Sequence, residues 1–239
     1  LNATPAIVHS ATMYVMRLLV EEELPLNEGL LEPLQIRIPE GMLNPPYEND
    51  PIRCPAVVGG NVETSQRLVD TLLQALGLAA CSQGTMNNVT FGNDRFGYYE
   101  TVGGGSGAVR GNHGESGVHC HMTNTRITDP EVIEHRYPVR MHRFALRQGS
   151  GGNGRWRGGD GLVREIEFLD ELELSILSQH RVSAPYGMAG GGEGAVGRQV
   201  IIRADGSRHE LDGIDGCRVG PGDRLTIETP GGGGWGQAD

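Results

Sequence analysis

Lysine is missing from this sequence of 239 residues, so all 20 of its basic residues are arginine. Two kinds of site depend on a lysine amine, the Schiff-base nucleophile and the Walker-type phosphate loop, and both are excluded within this chain. Any ATP chemistry connected with the chain must therefore take place elsewhere or use another design.

Cysteine is scarce, and long apolar runs are absent. Cys54, Cys81, Cys120 and Cys217 lie far apart with no Cys-x-x-Cys pair, which favours reduced thiols over disulfides or a structural zinc site. No apolar run approaches the ~18 residues that cross a bilayer, and the first residues do not combine a charged stretch with a following apolar segment, as a signal peptide would. A net charge of -10 argues against nucleic-acid or anionic-membrane partners. We expect a cytoplasmic protein, and the first residue, Leu1, suggests a fragment or a processed chain.

Two helices are predicted in the first third of the chain. Thr4-Pro5 is typical of a helix start, and apolar residues recur at helical spacing from there to about Val20. Asn61 is a good N-cap for the second helix, which Gly77 should end.

Strand patterns dominate the second half. Five segments alternate or run apolar between turn residues; they are residues 137–146, 162–168, 172–177, 199–203 and 224–228. Before them, the pattern predicts a short strand at 34–38, a hairpin over 89–102 and a helical turn at Asp129. We predict an α+β fold. Two helices and a glycine-rich pocket region (residues 1–136) precede a largely antiparallel, β-rich half (residues 137–239), all in one continuous structural unit.

Residues 82–126 combine the features of a ligand pocket. Adjacent amides, an acid, hydroxyls, two imidazoles and the run Gly103-Gly-Gly-Ser-Gly107 occur together, and glycine lets a backbone approach a ligand closely. His119 and His121 are two residues apart, so on a strand both would face one side, as metal ligands or pocket walls. No third ligand is fixed by spacing, and we assign no metal here. Spacing alone supports a polar pocket, with a set of tight turns as the alternative.

Five blocks of this sequence resemble the B subunit family of ATP-dependent hydantoinases and 5-oxoprolinases. They are Asn61-Val-Glu-Thr-Ser-Gln66, Ser82-Gln-Gly-Thr-Met-Asn-Asn88, Tyr98-Tyr-Glu-Thr-Val-Gly-Gly-Gly-Ser-Gly107, His121-Met-Thr-Asn-Thr-Arg126 and Thr229-Pro-Gly-Gly-Gly-Gly-Trp-Gly236. The blocks keep the family's order and cover the chain almost end to end. The chain resembles only the C-terminal half of the family's B component.

The resemblance implies ATP-dependent opening of a cyclic amide, such as 5-oxoproline or a hydantoin. It implies a partner A subunit that binds ATP and phosphorylates the ring carbonyl, and a B component that completes ring opening. The segment expected to hold a divalent metal belongs to the N-terminal half of the B component, a further expected partner. Related carboxylases of acetone and acetophenone use the same subunit types, so hydrolysis and carboxylation both stay open.

The resemblance also ranks the candidate site residues. His121 is the main general acid and base candidate because it opens a family-like block, and His119 and Glu100 are further catalytic candidates. The alternative for His121 is a structural tie to a neighbouring carbonyl. Donors for an oxyanion or phosphate are expected from the predicted substrate-binding residues. These are Asn87, Asn88, Gly103, Gly104, Gly105, Ser106, Thr123 and Asn124.

A second hypothesis makes the chain a scaffold module without chemistry of its own. High turn content and the glycine-rich tail around Trp235 motivate it, since a tryptophan within a glycine run can insert into a surface or a partner. Deleting residues 229–239 should then weaken subunit assembly.

Overall fold

Within residues 2–238, which the computed structural model describes, three α-helices and nine strands are present. They are α1 (Pro5–Leu19), α2 (Ser65–Ala75), α3 (Pro130–Arg136), β1 (Asn88–Gly92), β2 (Gly97–Thr101), β3 (Val139–Arg147), β4 (Gly161–Phe168), β5 (Leu172–Leu177), β6 (Arg198–Ile202), β7 (Arg208–Leu211), β8 (Ile214–Val219) and β9 (Arg224–Glu228). In that part of the chain, no helix combines the length and the apolar character needed to span a membrane.

The strands form two antiparallel sheets around one hydrophobic core. One sheet has the order β2-β1-β5-β8 and the other β3-β4-β9-β6-β7. Both contribute to a single core cluster, with Phe91 and Leu174 from the first sheet and Ile166 and Phe168 from the second. Face-to-face packing of this kind makes a β-sandwich. The predicted α+β fold with a β-rich, antiparallel second half is confirmed.

The smaller sheet joins the two predicted regions of the chain. β1 and β2 come before residue 136, yet β1 pairs with β5 along its whole length, from Asn88 opposite Leu177 to Gly92 opposite Glu173. The boundary at residues 136 and 137 stays a prediction.

The two long helices, α1 and α2, pack on each other. Ala11 and Val15 of α1 meet Val69 and Leu73 of α2 in a second core cluster. α1 begins as predicted, with proline in its first turn.

The start of α2 differs from the prediction. A π-helical turn, Gly60–Thr64, precedes α2, with Gly59 at its N-cap position. The Gly59 carbonyl accepts the N–H groups of Glu63 and Thr64 at 2.9 and 3.0 Å. Asn61 therefore lies inside the turn, and its assignment as N-cap is wrong. Gly77, with φ of 68°, follows the helix end as expected.

The strand predicted at residues 34–38 is wrong. This segment has no paired neighbour strand. It lines a cavity together with Val8 of α1 and Leu68 of α2. Two edge strands, β7 and β8, were missed. Their sequences, Arg-His-Glu-Leu and Ile-Asp-Gly-Cys-Arg-Val, are polar and contain residues that are depleted in strands.

The glycine-rich tail forms part of the interior. Successive N–H groups of residues 231–234 donate to carbonyls of three different segments, at residues 195 and 192, at residue 159 and at residue 81. A methyl group at Gly232 would overlap the Ser106 carbonyl, so only glycine permits this layered packing. Trp235 is buried within the chain and is bridged to Trp156 and Met188. Within the described chain, Trp235 packs against the protein itself. It therefore no longer supports the hypothesis that the tail docks on a partner subunit.

Candidate active site

One face of α2 and its leading turn carries polar side chains into the protein. Glu63, Gln66 and Asp70 are all buried, and their spacing of three and four residues places them on one side of a helix. Residues 82–88, which face them, are also buried and supply matching donors. Two of the sequence blocks singled out above, 61–66 and 82–88, therefore pack against each other.

An aspartate–histidine pair forms at the end of this polar face. Nε2 of His121 lies 3.1 Å from Oδ1 of Asp70, which also accepts the Ser82 N–H at 3.0 Å. Burial alone would raise the pKa of Asp70, but the charge and hydrogen bond of His121, with the Ser82 N–H, lower it below its usual value. The ionised carboxylate can therefore fix the orientation of the imidazole.

The backbone at His121 explains how the ring reaches Asp70. His121 has φ of 52°, and the Thr123 N–H closes a turn on the Cys120 carbonyl at 3.1 Å. The expectation that His119 and His121 share the face of a strand is wrong, because this left-handed turn interrupts the extended backbone.

A cavity of about 500 Å³ opens beside the aspartate–histidine pair. Its polar lining residues are Ser82, Ser106, Glu115, His119 and His121. Apolar residues of both helices and of the following segment complete the wall; they include Tyr14, Leu18, Leu19, Leu73 and Leu78. The Tyr14 ring stands edge-on to His121, with 5.9 Å between centroids. An apolar cavity with a few convergent polar groups is the usual form of a small-molecule site.

His119 and Ser106 each have a hydrogen-bonding group available for a ligand in this cavity. Nδ1 of His119 is buried without a hydrogen-bond partner among the described residues. Burial lowers the pKa of His119, so its imidazole is neutral near pH 7. The Ser106 hydroxyl accepts the Glu115 N–H at 2.7 Å, which leaves its hydrogen to be donated.

Metal binding has no support from the described residues. Residues 2–238 contain no group of three or more His, Cys, Asp or Glu side chains that could hold an ion.

The predicted amide pair lies in a buried network and not in the cavity. Asn87 donates to Gln83 at 2.7 Å and accepts from Arg181 at 2.9 Å. Asn88 donates to Glu63 at 2.7 Å. Neither amide lines the cavity of His121, because bonds within the protein already occupy them.

Glu100 lies inside the β-sandwich, apart from the histidines. The alternation of β2 turns Tyr98 and Glu100 inward, where Arg164 of β4 meets the carboxylate at 2.9 Å. The Tyr98 hydroxyl donates to the same carboxylate at 2.7 Å. Burial raises the pKa of Glu100, although Arg164 and Tyr98 oppose the shift. The geometry makes Glu100 half of a buried ion pair that crosses between the sheets.

The remaining candidates surround the cavity without lining it, except for Ser106. Gly104 and Gly105 donate to the carbonyls of Val118 and Pro230 at 3.0 and 2.9 Å. The Gly103 carbonyl accepts the Thr229 hydroxyl at 2.8 Å. These glycines thereby position the backbone that carries Ser106.

Thr123 and Asn124 also stay outside the cavity. The Thr123 hydroxyl accepts a hydrogen bond from Gln66 at 2.7 Å, which ties the turn after His121 to α2. Asn124 is exposed.

Asp70 is the residue that sequence reasoning missed. A polar residue in an amphipathic helix usually marks the solvent side, and Asp70 follows the apolar Leu68 and Val69. The available signal was the repeat of Glu63, Gln66 and Asp70 at helical spacing, together with the histidines downstream.

Comparison with known proteins identifies relatives of this chain. The sequence matches the family model described as Hydantoinase B/oxoprolinase over residues 1–238. "5-oxoprolinase 1" of Arabidopsis thaliana is 54% identical over 235 residues, which cover 98% of this chain and 18% of that protein. The chain thus spans less than a fifth of the length of this curated relative.

Two solved structures share the fold. An ATP-dependent caprolactamase from Pseudomonas jessenii matches with a TM-score of 0.77 and 24% identity, covering 94% of this chain and 42% of its own. An acetone carboxylase matches with a TM-score of 0.75 and 18% identity, covering 98% of this chain and 37% of its own. At these identities the likeness concerns the fold alone.

Proposed function

The chain belongs to the hydantoinase B/oxoprolinase family, and from this premise we propose that it serves in the B component of an ATP-dependent cyclic-amide hydrolase. We assign 5-oxoproline or a hydantoin as substrate, since a 5-oxoprolinase is 54% identical over nearly the whole chain. We assign ATP binding to a hydantoinase A-type partner, because this chain lacks lysine, and a divalent metal to the N-terminal half of the B component.

The Asp70–His121 pair, whose histidine lines the cavity, carries this proposal. A general base must lie within hydrogen-bond reach of a proton that it removes, and its ring must be held in one orientation. Asp70 holds Nε2 of His121 at 3.1 Å, and the cavity beside it has room for a small ring. The geometry therefore supports an imidazole that acts on a bound molecule.

The chemistry begins once the partner has phosphorylated the ring carbonyl with ATP. His121 removes a proton from water as the water oxygen bonds to the carbonyl carbon. The bond from that carbon to the ring nitrogen then breaks as the carbonyl forms again. The nitrogen leaves as an amine after it has gained both protons of the water, one returned by His121 and the other from the hydroxyl that the water left on the carbon. A second water releases phosphate from the acyl phosphate that remains. Asp70 stabilises the imidazolium between the two proton transfers.

Other groups in the cavity have supporting roles. The hydroxyl hydrogen of Ser106 can be donated to an oxygen that gains charge. Neutral His119 can accept or donate one hydrogen bond at Nδ1. Leu18 and Leu19 of α1 add apolar surface to the wall of the cavity.

Reconstitution of the complete B component with its A partner tests the proposal. Incubation with ATP and either 5-oxoproline or a hydantoin should release ADP, phosphate and the ring-opened acid. Because the acetone carboxylase fold is shared, a second arm supplies ATP, bicarbonate and acetone. Consumption of acetone that depends on bicarbonate, without ring opening in the first arm, would move the protein to the carboxylases.

A further inference from the structure

Gln66 connects α2 to the turn that carries His121. It is 1% exposed, and its side chain makes three hydrogen bonds. Nε2 donates to the Cys120 carbonyl at 3.0 Å and to the Thr123 hydroxyl at 2.7 Å. Oε1 accepts the Met122 N–H at 3.0 Å. These partners lie directly before and after His121 in the chain, so one side chain fixes the backbone on both sides of it.

The amide of Gln66 matches the hydrogen-bonding groups of this turn. A primary amide offers two N–H donors and one carbonyl acceptor, and the turn presents a carbonyl, a hydroxyl oxygen and an N–H to them. Glutamate would keep the acceptor and lose both donors, and methionine, which has a similar length, would lose all three groups. Among these side chains of similar length, only the amide can make all three bonds.

The turn needs such support because its backbone is unfavourable for histidine. His121 has φ of 52°, in the left-handed region that residues with a Cβ rarely adopt. A residue keeps such a conformation only where the surrounding contacts fix it. Without the three bonds of Gln66, the backbone at His121 can relax toward negative φ, and this change moves the imidazole away from Asp70.

Asp70 and Gln66 hold the same histidine from one helix. They are four positions apart in α2 and therefore lie on one face. Oδ1 of Asp70 lies 3.1 Å from Nε2 of His121. The ionised carboxylate accepts the Nε2 hydrogen, which leaves Nδ1 as the ring nitrogen that can take a proton. Asp70 thus selects the free nitrogen, and Gln66 fixes the backbone that places it.

We propose that Gln66 is a positioning residue for His121. It holds the left-handed turn so that the imidazole stays in contact with Asp70 and at the wall of the cavity. Gln66 is not among the residues that line this cavity, so it acts through His121 and not on a bound molecule. The assignment rests on the role proposed above for His121, but the position of the ring can be measured without the reaction.

The first measurement follows the ring in the complete B component, without substrate or ATP. Diethyl pyrocarbonate modifies accessible imidazoles, and peptide mass spectrometry gives the rate for each histidine. The His121 side chain is 12% exposed. We expect Gln66→Met to raise its modification rate about tenfold, the change expected from losing roughly one or two buried hydrogen bonds.

Two controls separate release of the ring from general unfolding. His180 is 4% exposed and should keep its rate in Gln66→Met. Gln74→Met changes an exposed glutamine of the same helix and should leave the His121 rate unchanged. An unchanged His121 rate in Gln66→Met, or an equal rise at His121 and His180, would overturn the proposal.

The second measurement uses the complex reconstituted with its A partner. We expect Gln66→Met to lower kcat for ring opening by ~10–100-fold, with KM and ATP consumption unchanged, because a displaced catalytic group affects the transition state and not substrate binding. Thr123→Val removes one of the three hydrogen bonds and should give a smaller loss in the same direction. Met122 packs against the core of the two helices, so the turn stays attached in both variants. Thr123→Val decides the question should Gln66→Met not fold.

Comparison with His121→Ala shows which of the two proposals fails. Full ring opening in Gln66→Met with a released ring, beside a loss in His121→Ala, would refute the positioning role alone. Full ring opening in both variants would instead refute the catalytic role of His121, and the positioning role with it. A raised KM at unchanged kcat in Gln66→Met would also contradict the proposal, since it would indicate a contribution to binding.

Discussion

Replacing Glu100 by glutamine distinguishes a structural role from a catalytic one. Arg164 is 0% exposed and Glu100 is 5% exposed, with 2.9 Å between Nε and Oε1. The single substitution Glu100→Gln leaves a buried guanidinium without its counter-charge, which costs ~3–5 kcal/mol. For a chain of this length, that loss lowers the unfolding temperature by about 10 °C.

A double substitution supplies the matched control. Replacing Glu100 and Arg164 together by methionine removes both charges and fills a similar volume, so stability should return to within ~1 kcal/mol of the wild type or exceed it. Tyr98 keeps a partner in this variant, because the Thr128 hydroxyl lies 2.8 Å from the Tyr98 hydroxyl and can take its hydrogen once Glu100 is gone. Thermal unfolding and ring-opening rate are measured on the same preparations.

The two measurements together decide the role of Glu100. We expect ring-opening activity to fall with stability in Glu100→Gln and to recover in the double variant. A stable double variant whose ring-opening rate stays reduced by a factor typical of a lost proton-transfer group, ~10²–10⁴, would refute the structural assignment and restore Glu100 as a catalytic residue.

Two further predictions concern the glycine layer and the titration of a buried acid. Gly232→Ala should destabilise the protein by ~3 kcal/mol or more, because the added methyl group overlaps the Ser106 carbonyl. Gly220→Ala is the control, since the space around its Cβ position is open. Equal urea midpoints for the two variants would contradict the account. Glu63 has a folded-state pKa of about 7 against an ordinary 4.5, so its stabilising contribution is complete below pH 4.5 and is lost as the pH rises through 7, by up to ~3 kcal/mol. Glu63→Gln should flatten this part of the stability profile, and an unchanged profile would count against the raised pKa.

Much of the fold could be predicted from local sequence signals. The start of α1 at Pro5 and the bounds of β9, Arg224–Glu228, agree with the structure, because proline after a capping residue and apolar alternation are local features. The sequence pattern did not predict the edge strands β7 and β8. An edge strand pairs with one strand only and faces solvent on its other side, so polar residues are tolerated there. The segment at 34–38 carries a strand pattern, but helices occupy the space beside it.

Only part of the candidate site could be predicted from the sequence. His121 came from a family-like block and His119 from its spacing to His121, and both reach one cavity together with Ser106. Asp70 and Glu100 show why the rest was not predictable. Their roles depend on partners 51 and 64 positions away in the chain, His121 and Arg164, and no local pattern specifies which side chain a distant segment will present.

The central claim is that His121 acts after the carbonyl has been activated. The ratio of ring-opened acid to ADP, measured at steady state in the reconstituted complex, tests it most directly. We predict that His121→Ala lowers ring opening by ~10²–10⁴ while the partner still consumes ATP, so that the ratio falls and the unfolding temperature is unchanged. Asp70→Asn should lower the ratio in the same direction. An unchanged ratio in His121→Ala, or a loss of both products in proportion to a loss of stability, would contradict the account.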